Sequence, residues 1–277
     1  DFWPLDNEDK TDNFIYRETP SEILKGTFNG QSDDVTKLWA NQYKSIARAN
    51  TILANMDKAV NMGISEVKLK QYEGEAFFQR ASCYARLVTY FGDVIYVTEV
   101  VDIDKAFTLG RTAKSEIVPK IYEDYDKAIE NLPEKYSGLS SQRATKGAAL
   151  ALKARFALYM GDWDIVADAT KKCMDLGIYK LHKDYSDLFL STTKNSEESI
   201  FLLPRSIEYK VTLGNWTVMN EVSRNPGGWG AFAPSWDLLA AYTCTDGLPI
   251  DESPLFDPHN PFKNRDPRCT ATIVEFG

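Results

Sequence analysis

Two ten-residue stretches, "YARLVTYFGD" at 84–93 and "KARFALYMGD" at 153–162, carry one phrase twice, 69 positions apart. Ala85, Arg86, Tyr90, Gly92 and Asp93 are matched by Ala154, Arg155, Tyr159, Gly161 and Asp162. The residues ahead of each copy repeat as well. Tyr43, Ile46, Ala49 and Leu53 share their spacing with Tyr122, Tyr125, Ala128 and Leu132, and steps of three and four lay one apolar stripe along a helix. These two sets lie 79 positions apart, so the first unit carries ten extra residues between its helices, and the polar stretch "NMGISEVKLK" supplies them. A chain written this way is constrained to repeat a helix–turn–helix element, with Gly for a tight turn and Asp to cap the segment after it.

A separation of 69 is two periods of a tetratricopeptide helix pair, whose repeat is about 34 residues. The first pair is expected at 36–60 and 66–91, the second at 114–131 and 144–160. Leu132-Pro133 stops a helix, because proline cannot continue one. Small residues at Ala144, Gly147, Ala148, Ala149 and Ala151 allow close helix approach. A further helix starts after Gly161-Asp162-Trp163, with Trp163, Val166, Thr170 and Cys173 as its packing stripe and Gly177 as a left-handed cap. Trp39 and Trp163 lie on packing stripes and are expected in the core. So is Trp236, which precedes an apolar helix in "SWDLLAAYT" at 235–243.

Beyond residue 178 the texture changes. "YKLHKDYSDLF" and "SIFLLPRS" suggest one strand and one turn, and Val211–Pro267 is rich in Gly, Pro, Asn and Trp. Long irregular segments in a compact chain are usually functional. The fold class expected is mostly α: tetratricopeptide-like helix pairs forming an α-α superhelix, with an irregular loop-rich cap. Its parts are a loop-rich segment at 1–35, the helical region at 36–190 and the cap at 191–277.

The 277 residues carry a net charge of -8, with Lys and Arg scattered among acids rather than gathered in a stripe, which argues against a nucleic-acid partner. The four cysteines, Cys83, Cys173, Cys244 and Cys269, form no C-x-x-C pair, and His182 and His259 lack ligand partners at helical spacing. Neither a metal nor a cofactor is expected. Pairing of Cys244 with Cys269 is left open by the sequence. No apolar run approaches a membrane span. The chain begins at Asp1-Phe2-Trp3-Pro4 without a signal pattern, as a mature or trimmed form would.

The ordered motifs resemble the SusD/RagB family of Bacteroidetes outer-membrane glycan-binding lipoproteins. The stretches that carry the resemblance begin with Trp39-x-x-x-Tyr43-x-x-Ile46-x-Arg48-Ala49-Asn50 and Glu75-Ala76-Phe77-x-x-Arg80-Ala81-x-x-Tyr84. They continue through Tyr90-Phe91-Gly92-Asp93-Val94, Arg111-Thr112 and Arg143-Ala144-Thr145-Lys146-Gly147 to Tyr159-x-Gly161-Asp162-Trp163. Later come Asn195-x-Glu197-x-x-Ile200-Phe201, Tyr242-x-x-x-Asp246-Gly247 and Asn264-Arg265-Asp266-Pro267-Arg268. Ile95 stands where the family usually has Pro, and Gln142 where Gly usually precedes the Arg. Family members run to about double this length, so the chain resembles the N-terminal part of such a protein, its cap incomplete at the C-terminus. The resemblance implies a non-catalytic lipoprotein at the outer-membrane cell surface, lipid-anchored in its full-length form. Its implied partners are a glycan and a SusC-like TonB-dependent transporter.

Aromatic rings bind sugars by stacking on the apolar C–H face of a pyranose, while amides, carboxylates and guanidinium groups hold the hydroxyls. Trp216, Trp229 and Phe232, among four glycines and interleaved with Asn220 and Arg224, are the leading candidates. The family's ligand contacts often arise in this same region. A tryptophan here has two uses, anchoring its loop or recognising a ligand. The polar stretch "NGQSDD" adds Asp33 and Asp34, as hydroxyl ligands or as a solvated loop. No Ser/His/Asp order, phosphate-cradling loop or telling carboxylate pair stands out among the 40 acids, so no catalytic residue is assigned. A helical-repeat module that binds protein segments, and an α-helical glycoside hydrolase, are the alternatives.

Overall fold

The computed structural model describes residues 10–17, 21–138, 142–193, 196–202, 205, 208, 210–212 and 215–275, the side chains of 215–217 excepted. The chain divides into two compact units, one of residues 33–181 with 195–203, the other of 1–32, 182–194 and 204–277.

The helical unit is built on the two repeated stripes. Helices α1 (Asp33–Ala54), the short α2 (Met56–Val60) and α3 (Glu66–Phe91) form the first pair with its long connection. After the short α4 (Ile103–Ala106) come α5 (Lys114–Asn131), α6 (Lys146–Met160) and α7 (Trp163–Asp175). Each main helix packs on the next: α1 on α3, α3 on α5, α5 on α6, α6 on α7. Ile46, Tyr125 and Ala128 from the stripes join Tyr84, Leu87, Val88, Ile117, Ile121 and Phe156 in one buried core. This is the tetratricopeptide-like architecture that the period demands. Gly147 lets Tyr179 settle on α6, since a Cβ there would stand 2.0 Å from the Tyr179 hydroxyl.

The two copies of the repeated phrase end their helices in related ways. Ala85 and Ala154 turn inward, Arg86, Tyr90, Arg155 and Tyr159 face solvent, and Gly92 and Gly161 take positive φ as C-caps. The aspartates then diverge. Asp93 Oδ1 accepts from Lys114 N at 2.8 Å and caps the start of α5, whereas Asp162 Oδ2 accepts from the Tyr122 hydroxyl at 2.5 Å.

The centre of this unit is not wholly apolar. Arg80 on α3 and Asp124 on α5 are both buried, and they meet through two bonds, Nε to Oδ2 at 2.7 Å and Nη2 to Oδ1 at 2.8 Å. Arg80 Nη1 donates to Asn50 Oδ1 at 3.0 Å, and Asn50 Nδ2 donates to the carbonyls of Val97 and Glu99. The Tyr84 hydroxyl donates to Val97 O at 2.9 Å and accepts from Val97 N at 2.7 Å. Burial by itself would lower the Arg80 pKa, but the bond and charge of Asp124 more than offset it and hold the group above its ordinary value.

Two tryptophans depart from expectation. Trp163 is 66% exposed, and the stripe that packs is Ile165, Val166, Ala169 and Cys173; Thr170 faces solvent too. Trp236 is 67% exposed. Each is the first residue of its helix, and a helical Cα–Cβ bond tilts toward the N-terminus, so each ring overhangs the helix end instead of reaching the packed face. Trp39 does pack, half-buried against Tyr43 and edge-on to Phe91 at 5.1 Å.

The second unit begins with strand β1 (Phe14–Tyr16), paired antiparallel with β2 (Phe232–Pro234) so that Tyr16 faces Phe232. Ser235 donates its hydroxyl to Asp12 O and accepts from Leu238 N, so one residue both anchors the N-terminal strand and caps helix α9 (Trp236–Ala241). Helix α8 (Asn215–Glu221) replaces part of the expected loop. In place of the expected strand, residues 187–189 form a 3-10 turn. The Asn264–Arg268 motif is a structural knot. Buried Arg265 donates to the carbonyls of Pro261, Leu239 and Tyr242, and Asp266 caps helix α10 (Pro267–Thr272) while pairing with Arg268 at 2.6 Å. Leu239, Phe262, Cys269 and Ile273 form the apolar cluster beside it, and all four cysteines, Cys244 and Cys269 included, are free and buried.

Removing one partner of a buried ion pair strands the other charge. Arg80→Met is expected to cost about 3–5 kcal/mol in urea unfolding, with much of the loss recovered in the Arg80→Met, Asp124→Leu double variant. Trp163→Ala is expected to fall within about 0.5 kcal/mol of wild type, and a large loss would put that ring back in the core. The helical unit also sets an alkaline limit. Burial pushes Tyr43 and Tyr96 up to about 12 and raises Tyr84 and Tyr125 further, so the folded state holds phenol protons that the unfolded chain releases near 10. Stability is therefore fully present below pH ~10 and declines toward about 12. Absorbance at the phenolate band should show these tyrosines ionising together with loss of helix, not before it.

Candidate functional site

The segment after α8 folds back on the helix it leaves. The last carbonyls of a helix lack intrahelical partners. Here Trp229 N donates to Met219 O at 2.6 Å, Gly230 N to Val222 O at 2.9 Å and Ala231 N to Asn220 O at 2.7 Å. Gly227 N bonds Arg224 O and Gly228 N bonds Ser223 O, closing a turn over residues 223–228. Glycine is required twice over. Gly227 has φ 98°, and a Cβ on Gly228 would stand 1.9 Å from Val222 O. The next residue, Trp229, is 41% exposed.

Arg224 is exposed on the same turn, its Nε–H directed at Trp229 O at 3.5 Å, and Asn225 is exposed next to it. An indole face with a guanidinium and an amide close by has the chemistry of a shallow sugar-binding surface. The ring covers an apolar C–H face, and the polar groups meet hydroxyls.

The other sequence candidates are placed differently. Phe232 is buried, stacked on Tyr16 with ring centroids 4.6 Å apart, and Asn220 is only 1% exposed. The physical reason is the β1–β2 register, which sets Phe232 opposite Tyr16 so that both rings share one face of the pair, while Asn220 lies near the end of α8 with its carbonyl bonded to the returning loop. Neither side chain is exposed at the surface. The Asn220 amide nitrogen has no hydrogen-bond partner among the described residues. Trp216 lies in α8, its side chain outside the described residues. Asp33 and Asp34 are exposed in the first turn of α1 rather than in a loop, where negative charge suits the helix dipole, and Asp33 pairs with Lys37 at 3.2 Å. Strand β1 is nearly silent in the sequence: Phe14-Ile15-Tyr16 is its only signal, too short for alternation to declare itself.

A family model of SusD-like proteins, described as "Starch-binding associating with outer membrane", matches residues 6–158. The chain belongs to the SusD/RagB family. It is 30% identical over 176 residues to SusD-like protein P25 of Formosa agariphila, covering 62% of this chain and 32% of that relative. A SusD-like carbohydrate-binding protein from Bacteroides fragilis shares the fold with TM-score 0.82 and 28% identity, covering 95% of this chain and 52% of the other. A second SusD-like protein from the same species gives TM-score 0.77 and 25% identity, covering 96% and 55%. The chain thus spans about a third of the curated relative and about half of each solved structure.

Gly228→Ala tests the Trp229 turn directly. The added methyl must displace the Val222 carbonyl, and a loss of about 1–3 kcal/mol is expected, together with a shift in tryptophan emission as the Trp229 turn rearranges. Gly110→Ala, at a position that like Gly228 has no positive φ but opens on free space, controls for the added methyl alone.

Proposed function

We propose that this chain is the glycan-capturing part of a cell-surface protein that binds oligo- or polysaccharide without cleaving it and passes it to a SusC-like TonB-dependent outer-membrane transporter. The observation that carries the reading is Trp229, a large ring held outward by a glycine-built turn that also presents Arg224. Family membership supports it, as does the likeness to a Bacteroides fragilis protein described as carbohydrate-binding. Trp216 remains a proposed contact on the helix that the turn closes. Asp33 and Asp34 are secondary proposals, on the helical unit.

Among the described residues no helix is long and apolar enough to cross a membrane. Attachment to the outer membrane is proposed from the family's description, through a lipid anchor on the full-length protein, with the glycan and the transporter as partners.

Affinity gel electrophoresis against a panel of soluble polysaccharides tests the reading, with a reducing-end assay run alongside. Retardation by at least one glycan without new reducing ends is the expected result. Trp229→Ala should lose most of that retardation while its melting temperature stays near wild type. Unchanged retention in the variant would assign the ring to loop packing, and released product would favour the hydrolase.

A further inference from the structure

The first helix pair holds a groove of about 540 Å³ between α1, α2 and α3, in the helical unit. It exists because small residues stand where larger ones would fill the space. Ala49 and Ala76 form a buried floor, Ala59 a flank, and Leu69 closes one end. The volume falls within the range of small-ligand sites, which run from about 300 to 1,000 Å³.

The polar groups around this groove are unequally occupied. Glu75 is neutralised, accepting from Arg143 at 2.8 Å and from the Tyr136 hydroxyl at 3.3 Å. Asn55 lines the groove and donates its amide to Thr51 O, which leaves its side-chain oxygen available as an acceptor. Arg48 is exposed and has no hydrogen bond or ion pair among the described residues. Other residues of the same turn are spoken for, Ile46 and Ala49 in the core and Asn50 in the Arg80 network. Across the groove the Tyr72 ring is 44% exposed and also unpartnered among the described residues. An open aromatic face, an apolar floor and an uncommitted guanidinium thus line one concavity.

We propose that this groove is a second sugar site, separate from the Trp229 turn, and that it takes an anionic pyranose: a uronate residue at a chain end or within a short oligomer. The Tyr72 ring and the alanine floor cover the apolar C–H face of the sugar. Arg48 holds the carboxylate in a charge-assisted pair, and Asn55 accepts from a hydroxyl. A neutral sugar of the same size leaves the guanidinium without its partner. The proposal does not depend on the Trp229 turn binding anything.

Calorimetry with digalacturonate, diglucuronate and dimannuronate, and with cellobiose as the neutral control, tests it. At least one uronate dimer is expected to bind, with affinity falling as salt rises, and cellobiose to bind at least about tenfold more weakly. Arg48→Gln should weaken the uronate about tenfold or more, and Arg48→Lys should restore part of the loss. Tyr72→Ala should weaken it as well, and Trp229→Ala should leave it unchanged. Both groove side chains are exposed, so unaltered melting temperatures are expected and confirm that the variants fold. No uronate binding, uronate binding indifferent to Arg48→Gln, or loss in Trp229→Ala alone overturns the assignment. An acidic leucine-containing peptide that binds through Arg48 while the uronates do not overturns it in favour of a protein partner.

Discussion

A guanidinium and a carboxylate out of water are costly unless each finds a full set of partners. In the helical unit Arg80 and Asp124 meet in a two-bond fork, and the remaining arm of Arg80 reaches Asn50. Through that one side chain α1, α3 and α5 are tied together. Asn50 and Tyr84 extend the tie to the irregular chain at 97–99, which would otherwise carry unsatisfied carbonyls. Apolar stripes tolerate sliding, because one methyl contact replaces another. A bidentate ion pair does not, so the network fixes the register in which the stripes interlock. The extended segment then leads to the Val94–Thr112 bridge and on to the Asp93 cap of α5, and the next helix starts where the last one's turn directs it.

Much of the scaffold was legible in the amino-acid sequence because it rests on period. The repeated phrase, the steps of three and four, and Leu132-Pro133 located the helix pairs, and Gly161 and Gly177 take the positive φ that a left-handed cap needs. Two of the misses lie at the first residues of helices. Trp163 and Trp236 sit on the correct helical face by counting, yet each occupies a first turn where that face is not covered. Motif residues were visible without their roles. Arg80, Asn50, Arg265 and Asp266 carry the resemblance and prove to be internal ties and caps, for which a linear pattern has no signature.

The candidate site shows the same limit. Glycine density marked the stretch around Trp229, and the reason is a backbone that must pass within contact of Val222. Three residues later the chain is a strand, and Phe232 is spent on Tyr16. Which aromatic faces outward was decided by a pairing with residues 14–16, far away in sequence and absent from any local reading. Arg48 escaped notice for the opposite reason: it stands inside a motif whose other members are buried or half-buried, and only the empty space opposite it gives it meaning.

The tie between Ser235 and Asp12 spans 223 positions, and the β1–β2 pair is closed by chain of similar length. The helical unit, by contrast, is assembled largely from neighbours in sequence. These two parts therefore face different loop-closure costs. The helix pairs close short loops, whereas Phe14–Tyr16 must wait, unpaired, until chain as distant as Ser235 is from Asp12 is brought to it. A three-residue strand suits that delay. It offers too short an edge to recruit another chain while it waits, and it makes the arrival of residues 232–235 the event that completes its unit.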